Sequence, residues 1–346
     1  MLSRKAKIVA ILITVVLLLP ALTGCAKEKP KKVQFGCALS LSGKLQDTGN
    51  LYKEGYELWK ECVNSEGGIS IGNDKYLIDI IYYDDESDPN KTALLAEKLI
   101  TEDKVDLLLG PYGSGSTFEA AAVAEKYRIP MVQGGGAAEK ISAQGFKYTF
   151  GLLSPAGDYF KNILEGAASL DPRPNKVAII SASDLFSRSV AEGTKRHAQR
   201  LGFEVSSSTT FEKGGDLPPI LNGLKDDKAN IVLFSAHFEE ALAFVRTTKE
   251  AGLSSEILGI TVAPSDPAFV KQLGRDANYI LGTTQWTSAL PYYGPVFGNP
   301  GDYARLFLDN FGRNPNYHAA AATACGVAYQ LALEKASSLK PEKVRE

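Results

Sequence analysis

The chain has 346 residues, 44% of them hydrophobic and 23% charged, with 32 Gly and 17 Pro; that is enough to bury one large core or two ordinary ones, with two domains the better expectation. These proportions exclude an intrinsically disordered chain, a collagen-like chain and a small disulfide scaffold. A formal charge of −2 gives no general attraction for a phosphate backbone, so no nucleic acid is expected as a partner.

Arg4, Lys5 and Lys7 precede an uncharged apolar run from Ile8 to Leu19. The run is too short to span a bilayer comfortably, yet it has the length of the apolar region of an export signal. It ends in Leu22-Thr23-Gly24-Cys25, which resembles the lipobox at which a bacterial signal peptidase cleaves ahead of a cysteine that receives lipid. Residues 1–24 are therefore expected to be a lipoprotein signal peptide, Cys25 the lipidation site, and residues 25–32, rich in Lys and Pro, a short tether. Burial of acyl chains contributes roughly 0.8 kcal/mol per CH₂, so a multiply acylated Cys25 would hold a soluble domain on the extracytoplasmic side of the cell membrane. Cleavage removes three cations and leaves the mature chain mildly acidic. Beyond Cys25 stand Cys37, Cys62 and Cys325, an odd number at spacings that suit neither a zinc site nor a redox CxxC. Buried free thiols are the expectation, with a Cys37–Cys62 bridge as the alternative in an oxidising compartment.

From Val33 onward, short apolar runs alternate with amphipathic stretches, the pattern of an α/β fold with mostly parallel sheets. Strands are predicted at 33–39, 76–83, 105–109 and 130–133, and helices around 52–64, 89–101 and 116–127. In the first helix Tyr52, Tyr56, Trp59 and Val63 fall on one apolar stripe, which reads as core. Asp88 is a plausible N-cap with Pro89 at the first helical position, where its missing N–H costs nothing. The acidic turn Asp84, Asp85, Glu86 and Asp88 lacks the Gly-containing spacing of a calcium loop, so capping is preferred to metal binding. A second series has strands at 177–181, 203–211, 231–235, 256–260 and 279–286, with helices near 187–201, 218–224, 239–251 and 267–273. Residues 148–154 are the first candidate crossing and 282–290 a return, after which helices at 302–311 and 319–336 rejoin the first lobe. This predicts one lobe from 33–152 plus 287–346 and a second from 153–286.

Catalytic signals are absent. His197, His237 and His318 have no metal-ligand spacing, there is no nucleophile elbow or Walker A loop, and Gly134-Gly135-Gly136 does not complete GxGxxG. The expectation is a protein that is not an enzyme and that needs no metal or cofactor. Two strand-end loops stand out instead. Leu107-Leu108-Leu109 runs into Gly110-Pro111-Tyr112-Gly113-Ser114-Gly115-Ser116-Thr117 and then a helix, gathering N–H groups and hydroxyls where a carboxylate is favoured. Met131-Val132 runs into Gly134 to Ala138, a second Gly-rich loop at a strand's carboxyl end. Open α/β sheets bind ligands in the crevice outside those ends.

With these features in order, the chain resembles the type I periplasmic solute-binding proteins of branched-chain amino acid and amide ABC importers, the leucine/isoleucine/valine-binding protein family. The resemblance rests on Leu41-Ser42-Gly43, Asn64 with Gly67-Gly68-Ile69, Tyr83-Asp84-Asp85 with Asp88-Pro89, Gly110 with Ser114 to Thr117, Ile129-Pro130 and the glycine run after it, and Glu250 to Leu253. It implies a two-lobed Venus flytrap, each lobe a mostly parallel sheet flanked by helices, that closes by hinge bending on a solute and docks on membrane permease subunits. Carried over, Ser114 and Gly115 would meet a ligand's carboxylate, and Gly136 and Ala137 would offer backbone groups. The family's amino-acid readers place a threonine where Ala137 stands, a tyrosine where Phe186 stands, a tyrosine near His237, an acid near Thr261 and an aromatic near Thr48. Those departures point away from a buried ammonium partner and toward an apolar or aromatic wall, for which Phe186, Trp286 and Tyr292 or Tyr293 are candidates, with His237 a further candidate ligand contact. Relatives in the family continue beyond Glu346, so the chain reads as shortened at that end. The expectation is a monomeric, lipid-anchored receptor of an ABC importer for a small carboxylate-bearing solute, an amino acid of the branched-chain or aromatic class or a related organic acid or amide, with a ligand-sensing input to a signalling partner as the alternative.

Overall fold

Alternating apolar runs and amphipathic stretches become parallel strands and connecting helices in a computed structural model, which describes residues 30–212, 215 and 217–346. The expected signal peptide at 1–24, Cys25 and the tether up to residue 29 lie outside the described residues. Lys32–Glu346 form one unit.

The first sheet comprises β1 (Lys31–Leu39), β2 (Ile69–Ile71), β3 (Asp74–Asp84), β4 (Leu107–Leu109), β5 (Met131–Gln133) and β6 (Thr149–Gly151), in the spatial order β2-β3-β1-β4-β5-β6. The steps from β1 to β6 are parallel, and β2 pairs antiparallel with β3 as a short hairpin. Its helices are α1 (Gln46–Ser65), α2 (Pro89–Thr101), α3 (Ser114–Tyr127) and the single turn α4 (Glu139–Ser142). Residues on β1, β4 and β5 are buried on both faces, as parallel strands covered by helices require. Phe35, Leu107, Leu109 and Val132 face α1. Leu108 and Met131 face the alanine-rich sides of α2 and α3.

The second sheet is wholly parallel, β11-β10-β9-β7-β8, built from β7 (Lys176–Ala182), β8 (Glu204–Phe211), β9 (Ile231–Ser235), β10 (Ile257–Ile260) and β11 (Ile280–Gly282). Its helices are α5 (Lys161–Ala168), α6 (Leu185–Arg200), α7 (Leu217–Asp227), α8 (Phe238–Glu250) and α9 (Pro267–Leu273). The two-residue period of a strand sorts its side chains: Val177 and Ile179 pack against α5 and α6, whereas Ala178 and Ile180 pack against α7 and α8.

The chain then returns through α10 (Pro300–Phe311) and α11 (Tyr317–Ala336) to α1, and ends in α12 (Pro341–Arg345). The predicted apolar stripe of α1 is fully buried, with Trp59 edge-on to Phe35 at 5.4 Å and Tyr329 of α11 against the same ring at 5.2 Å. Leu51 and Leu58, on another side of α1, meet Tyr303 and Phe307 of α10. The result is the two-lobed α/β architecture expected from the strand and helix pattern. The acidic turn after β3 caps: Asp88 accepts from the Asn90 amide, Asp84 from the Leu41, Ser42 and Glu86 amides, and buried Asp85 from the Ser40 and Thr92 hydroxyls. Cys37, Cys62 and Cys325 are free thiols. Among the described residues no helix is long and apolar enough to cross a membrane.

Candidate functional site

The carboxyl ends of the parallel strands in both sheets open onto one small cavity. From the first sheet it receives Tyr52 of α1, Tyr112, Gly113 and Ser114 after β4, and Gly135 and Ala137 after β5. From the second it receives Phe186 at the start of α6, His237 after β9 and Val262 after β10. Leu153 and Tyr159, where the chain leaves the first sheet, and Tyr317 and His318, at the start of α11, complete the wall. The space enclosed is about 10 Å³, room for about one water molecule. No solute larger than that fits the space as it stands. Wider apolar grooves of about 400 and 580 Å³ lie on the surface, beside Trp286 and beside β6 respectively; the first takes Leu152 and Leu153 after β6 with Gln285 and Trp286 after β11, but neither groove takes a residue from the loops of Ser114 or His237.

The two Gly-rich loops converge through Ser114. Its Oγ accepts hydrogen bonds from the Ala137 and Ala138 amides, both at 3.1 Å. With the bond from the Gly113 amide to the Gly135 carbonyl at 3.1 Å, this hydroxyl ties the loop after β4 to the loop after β5 at the head of α3. The amides of Gly135 and Gly136 are taken by Oε1 of Gln133, and the Gly136 carbonyl accepts from its Nε2. The amides of Gly135 to Ala138 in the loop after β5 are therefore satisfied internally, and Ser114 presents a hydroxyl at the cavity that can donate.

The second lobe contributes a charged pair. Nε2 of His237 lies 3.4 Å from Asp184, which caps α6 by accepting from the Ser187 amide. Burial disfavours a charge on either group, yet each supplies the counter-charge of the other. The His237 pKa is consequently raised and that of Asp184 held well below the usual carboxylate range. Burial keeps the phenols of Tyr52, Tyr112, Tyr159 and Tyr317 protonated. Rings close most of the remaining wall: Tyr159 stands edge-on to Phe186 at 5.1 Å and Tyr112 edge-on to His318 at 5.1 Å.

Of the residues singled out from sequence, Ser114, Ala137, Phe186 and His237 meet at this cavity. Gly115 packs toward Pro89, and Gly136 faces Ile141 and Thr117, where a Cβ would come within 2.6 Å. Trp286 stands outside, half-buried against Tyr303 at 5.5 Å, and Tyr292 and Tyr293 are exposed on the same groove. Thr261 turns its hydroxyl to the backbone of Ala236. Tyr112, Tyr159, Tyr317 and His318 carry no site signal of their own in the sequence, and Tyr52 reads there as core. The available signal for the last pair was Asn316, whose side chain accepts from the His318 amide and starts α11 two residues before the alanine run. Among the described residues no cluster of His, Cys, Asp and Glu is arranged to hold a metal ion.

Comparison with known proteins is consistent with this geometry. The family model described as periplasmic binding protein matches residues 32–346. A Leu/Ile/Val-binding protein homolog 8 from Brucella abortus is 26% identical over 228 residues, which is 64% of this chain; the chain spans 55% of that relative's length. Among solved structures, a leucine binding protein, LivK, from Thermotoga maritima superposes with a TM-score of 0.81 at 18% identity, covering 90% of this chain and 86% of that one. A solute binding protein of an ABC transporter from R. palustris, in complex with benzoate, superposes with a TM-score of 0.78 at 20% identity, covering 91% and 84%.

Proposed function

This chain belongs to the periplasmic binding protein family, and from that premise we propose that it is an extracytoplasmic, lipid-anchored receptor that holds a small carboxylate-bearing solute between its lobes and delivers it to an ABC permease. One observation carries the reading: Ser114 and Ala137 from one sheet and Phe186 and His237 from the other wall a single cavity at the strand carboxyl ends. A solute bridging both sides favours the closed form by the difference between its affinities for closed and open protein.

Relatives of this architecture include a protein named for leucine and one in complex with benzoate, so amino acids and aromatic acids are the classes to test. The charges in this cavity favour acids without an ammonium group. The carboxylate beside it, Asp184, is already paired with His237, and a buried ammonium without a counter-charge is costly. Anchoring through Cys25 would keep the receptor near its permease.

The test is mass spectrometry of whatever copurifies with the full-length protein, followed by a thermal-shift panel of branched-chain and aromatic amino acids and of aromatic and aliphatic acids. A ligand at a hundred times its Kd adds about 2.7 kcal/mol to the stability of the folded state. The expected result is a clear rise in melting temperature with one acid class; no rise with any small carboxylate would sink the reading.

A further inference from the structure

His318 is buried, with only 5% of its surface exposed, and among the described residues neither of its ring nitrogens has a hydrogen-bond partner. It lies in the cavity wall rather than in the hydrophobic cores. Three phenol rings hold it in place: Tyr317 at 3.9 Å, Tyr112 at 5.1 Å and Tyr52 at 6.1 Å between centroids. Two of those hydroxyls are already engaged, that of Tyr52 with the Gly134 carbonyl and that of Tyr112 with His237. Buried polar atoms in folded proteins are nearly always satisfied, and an orphan in a ligand cavity is an unmet requirement of the ligand-free form. Building the site on the first turn of α11, with Asn316 fixing the backbone, keeps the imidazole from turning elsewhere.

We propose that His318 contacts the solute directly and reads a hydroxyl group on it, so that the preferred ligand is a small hydroxyl-bearing carboxylic acid; this rests on the receptor reading above. Burial, with the neighbouring charge of His237, lowers the His318 pKa to about 3, so the ring is neutral at physiological pH. A neutral imidazole carries one donor and one acceptor. A carboxylate satisfies only the donor and an ammonium only the acceptor, whereas a hydroxyl can pair with either nitrogen in either tautomer. The flat walls formed by Tyr52, Tyr112, Tyr159, Phe186 and Tyr317 suit an apolar or aromatic body that carries that hydroxyl and the carboxylate.

The experiment measures dissociation constants by calorimetry on the full-length protein for two matched pairs: 4-hydroxybenzoate against benzoate, and 2-hydroxy-4-methylpentanoate against 4-methylpentanoate. The wild-type protein should prefer the hydroxylated member of at least one pair by about tenfold or more, the scale set by one hydrogen bond that the site is built to make. His318→Phe keeps ring size and should abolish that preference, read as the ratio of the two dissociation constants within each pair. His318→Gln, which keeps a donor and an acceptor, should retain part of it. His318→Phe should also melt at a higher temperature than wild type without ligand, because it removes an unsatisfied polar group; a merely structural histidine would give the opposite sign. If acids bind but the preference is absent, or survives His318→Phe, this proposal fails and the receptor reading stands. Should no member of either pair bind the wild-type protein, this proposal fails, and the receptor reading falls with it only if no small carboxylate of the thermal-shift panel binds either.

Discussion

The Tyr112 hydroxyl lies 3.0 Å from Nδ1 of His237, a hydrogen bond that joins the loop after β4 to the loop after β9 across the cleft. The same ring reaches Asp184 through Nε2. One imidazole thus links the two lobes on one side and is fixed to its own lobe on the other, with Phe186 against its face at 5.7 Å. Any opening of the cleft that separates these loops breaks the Tyr112 contact while leaving the Asp184 pair intact.

That pair predicts a pH dependence. Burial opposes the charge on His237, but Asp184 outweighs it, with Glu240 adding to the attraction and Lys44 opposing it, so the folded-state pKa is raised. A raised pKa means that the stabilisation is complete below about pH 6.5, the unfolded value, and is lost as pH climbs through the folded value. Asp184 is the mirror case: its lowered pKa gives stability that is present above about pH 4 and is lost in acid. On going from pH 8 to pH 6 His237 therefore adds stability while His318, with its lowered pKa, subtracts some in wild type and variant alike, so the melting temperature of wild type relative to Asp184→Asn should be higher at pH 6 than at pH 8. Thermal unfolding followed by circular dichroism checks it; an equal change in wild type and variant would show that the pair does not set the slope.

Ser114→Ala should cost both stability and affinity. The hydroxyl is 2% exposed and accepts from two backbone amides, so its removal strands two buried donors. Each such group costs about 1–3 kcal/mol, and in a chain of this length a loss of that size lowers the melting temperature by several degrees. Binding of the cognate acid should weaken by about tenfold or more, because the hydroxyl that faces the cavity is lost and the loops keep only the backbone bond from the Gly113 amide to the Gly135 carbonyl there. Calorimetry and thermal unfolding on the same sample separate the effects. An unchanged melting temperature would mean that the loops hold together without this bond.

Chemistry read from the chain located most elements and failed where length or capping decided the outcome. Asp88-Pro89 and Asp266-Pro267 each cap a helix and set its first residue, and both helices were legible to their ends. β2 was not, because three residues of a half-exposed hairpin carry too little apolar pattern. The strand expected at 279–286 pairs only over Ile280–Gly282, since Tyr279 enters it with a φ of +67° and the chain then leaves the sheet. At the site, polar loop residues such as Ser114 announced themselves by glycine neighbours. The aromatic wall did not: Tyr52 lies on a stripe that is otherwise core, and Tyr317 and His318 precede an alanine run whose period starts later.

Trp286→Ala should leave solute affinity within about threefold of wild type, contrary to the expectation from sequence that it walls the ligand. The ring packs edge-on against Tyr303 beside the outer groove, and it contributes no atom to the cavity of Ser114 and His237. Its loss removes partly buried aromatic surface and so lowers stability, by an amount on the order of 1–2 kcal/mol for incomplete burial. Parallel calorimetry and thermal unfolding would show a shifted melting temperature with an unshifted Kd. A loss of affinity beyond tenfold would return Trp286 to the site.

Gly326→Ala tests how the core holds the site. Gly326 sits in the middle of α11, and a Cβ there would fall 2.1 Å from Cδ2 of the fully buried Trp59 ring. Trp59 cannot retreat, because it lies against Phe35, so α11 must shift away from α1. Helix propensity favours the alanine by about 1 kcal/mol, whereas overpacking a dense core costs about 1–3 kcal/mol and more when backbone must move; the clash wins. The same shift displaces Tyr317 and His318, which stand on the first turn of α11. The variant should therefore melt several degrees lower and bind its solute more weakly, although it lies turns away from the cavity. Trp59→Leu in the same chain should recover part of both losses, a non-additivity expected only of residues in contact. Additive effects in the double variant would show that the two helices do not meet at this pair.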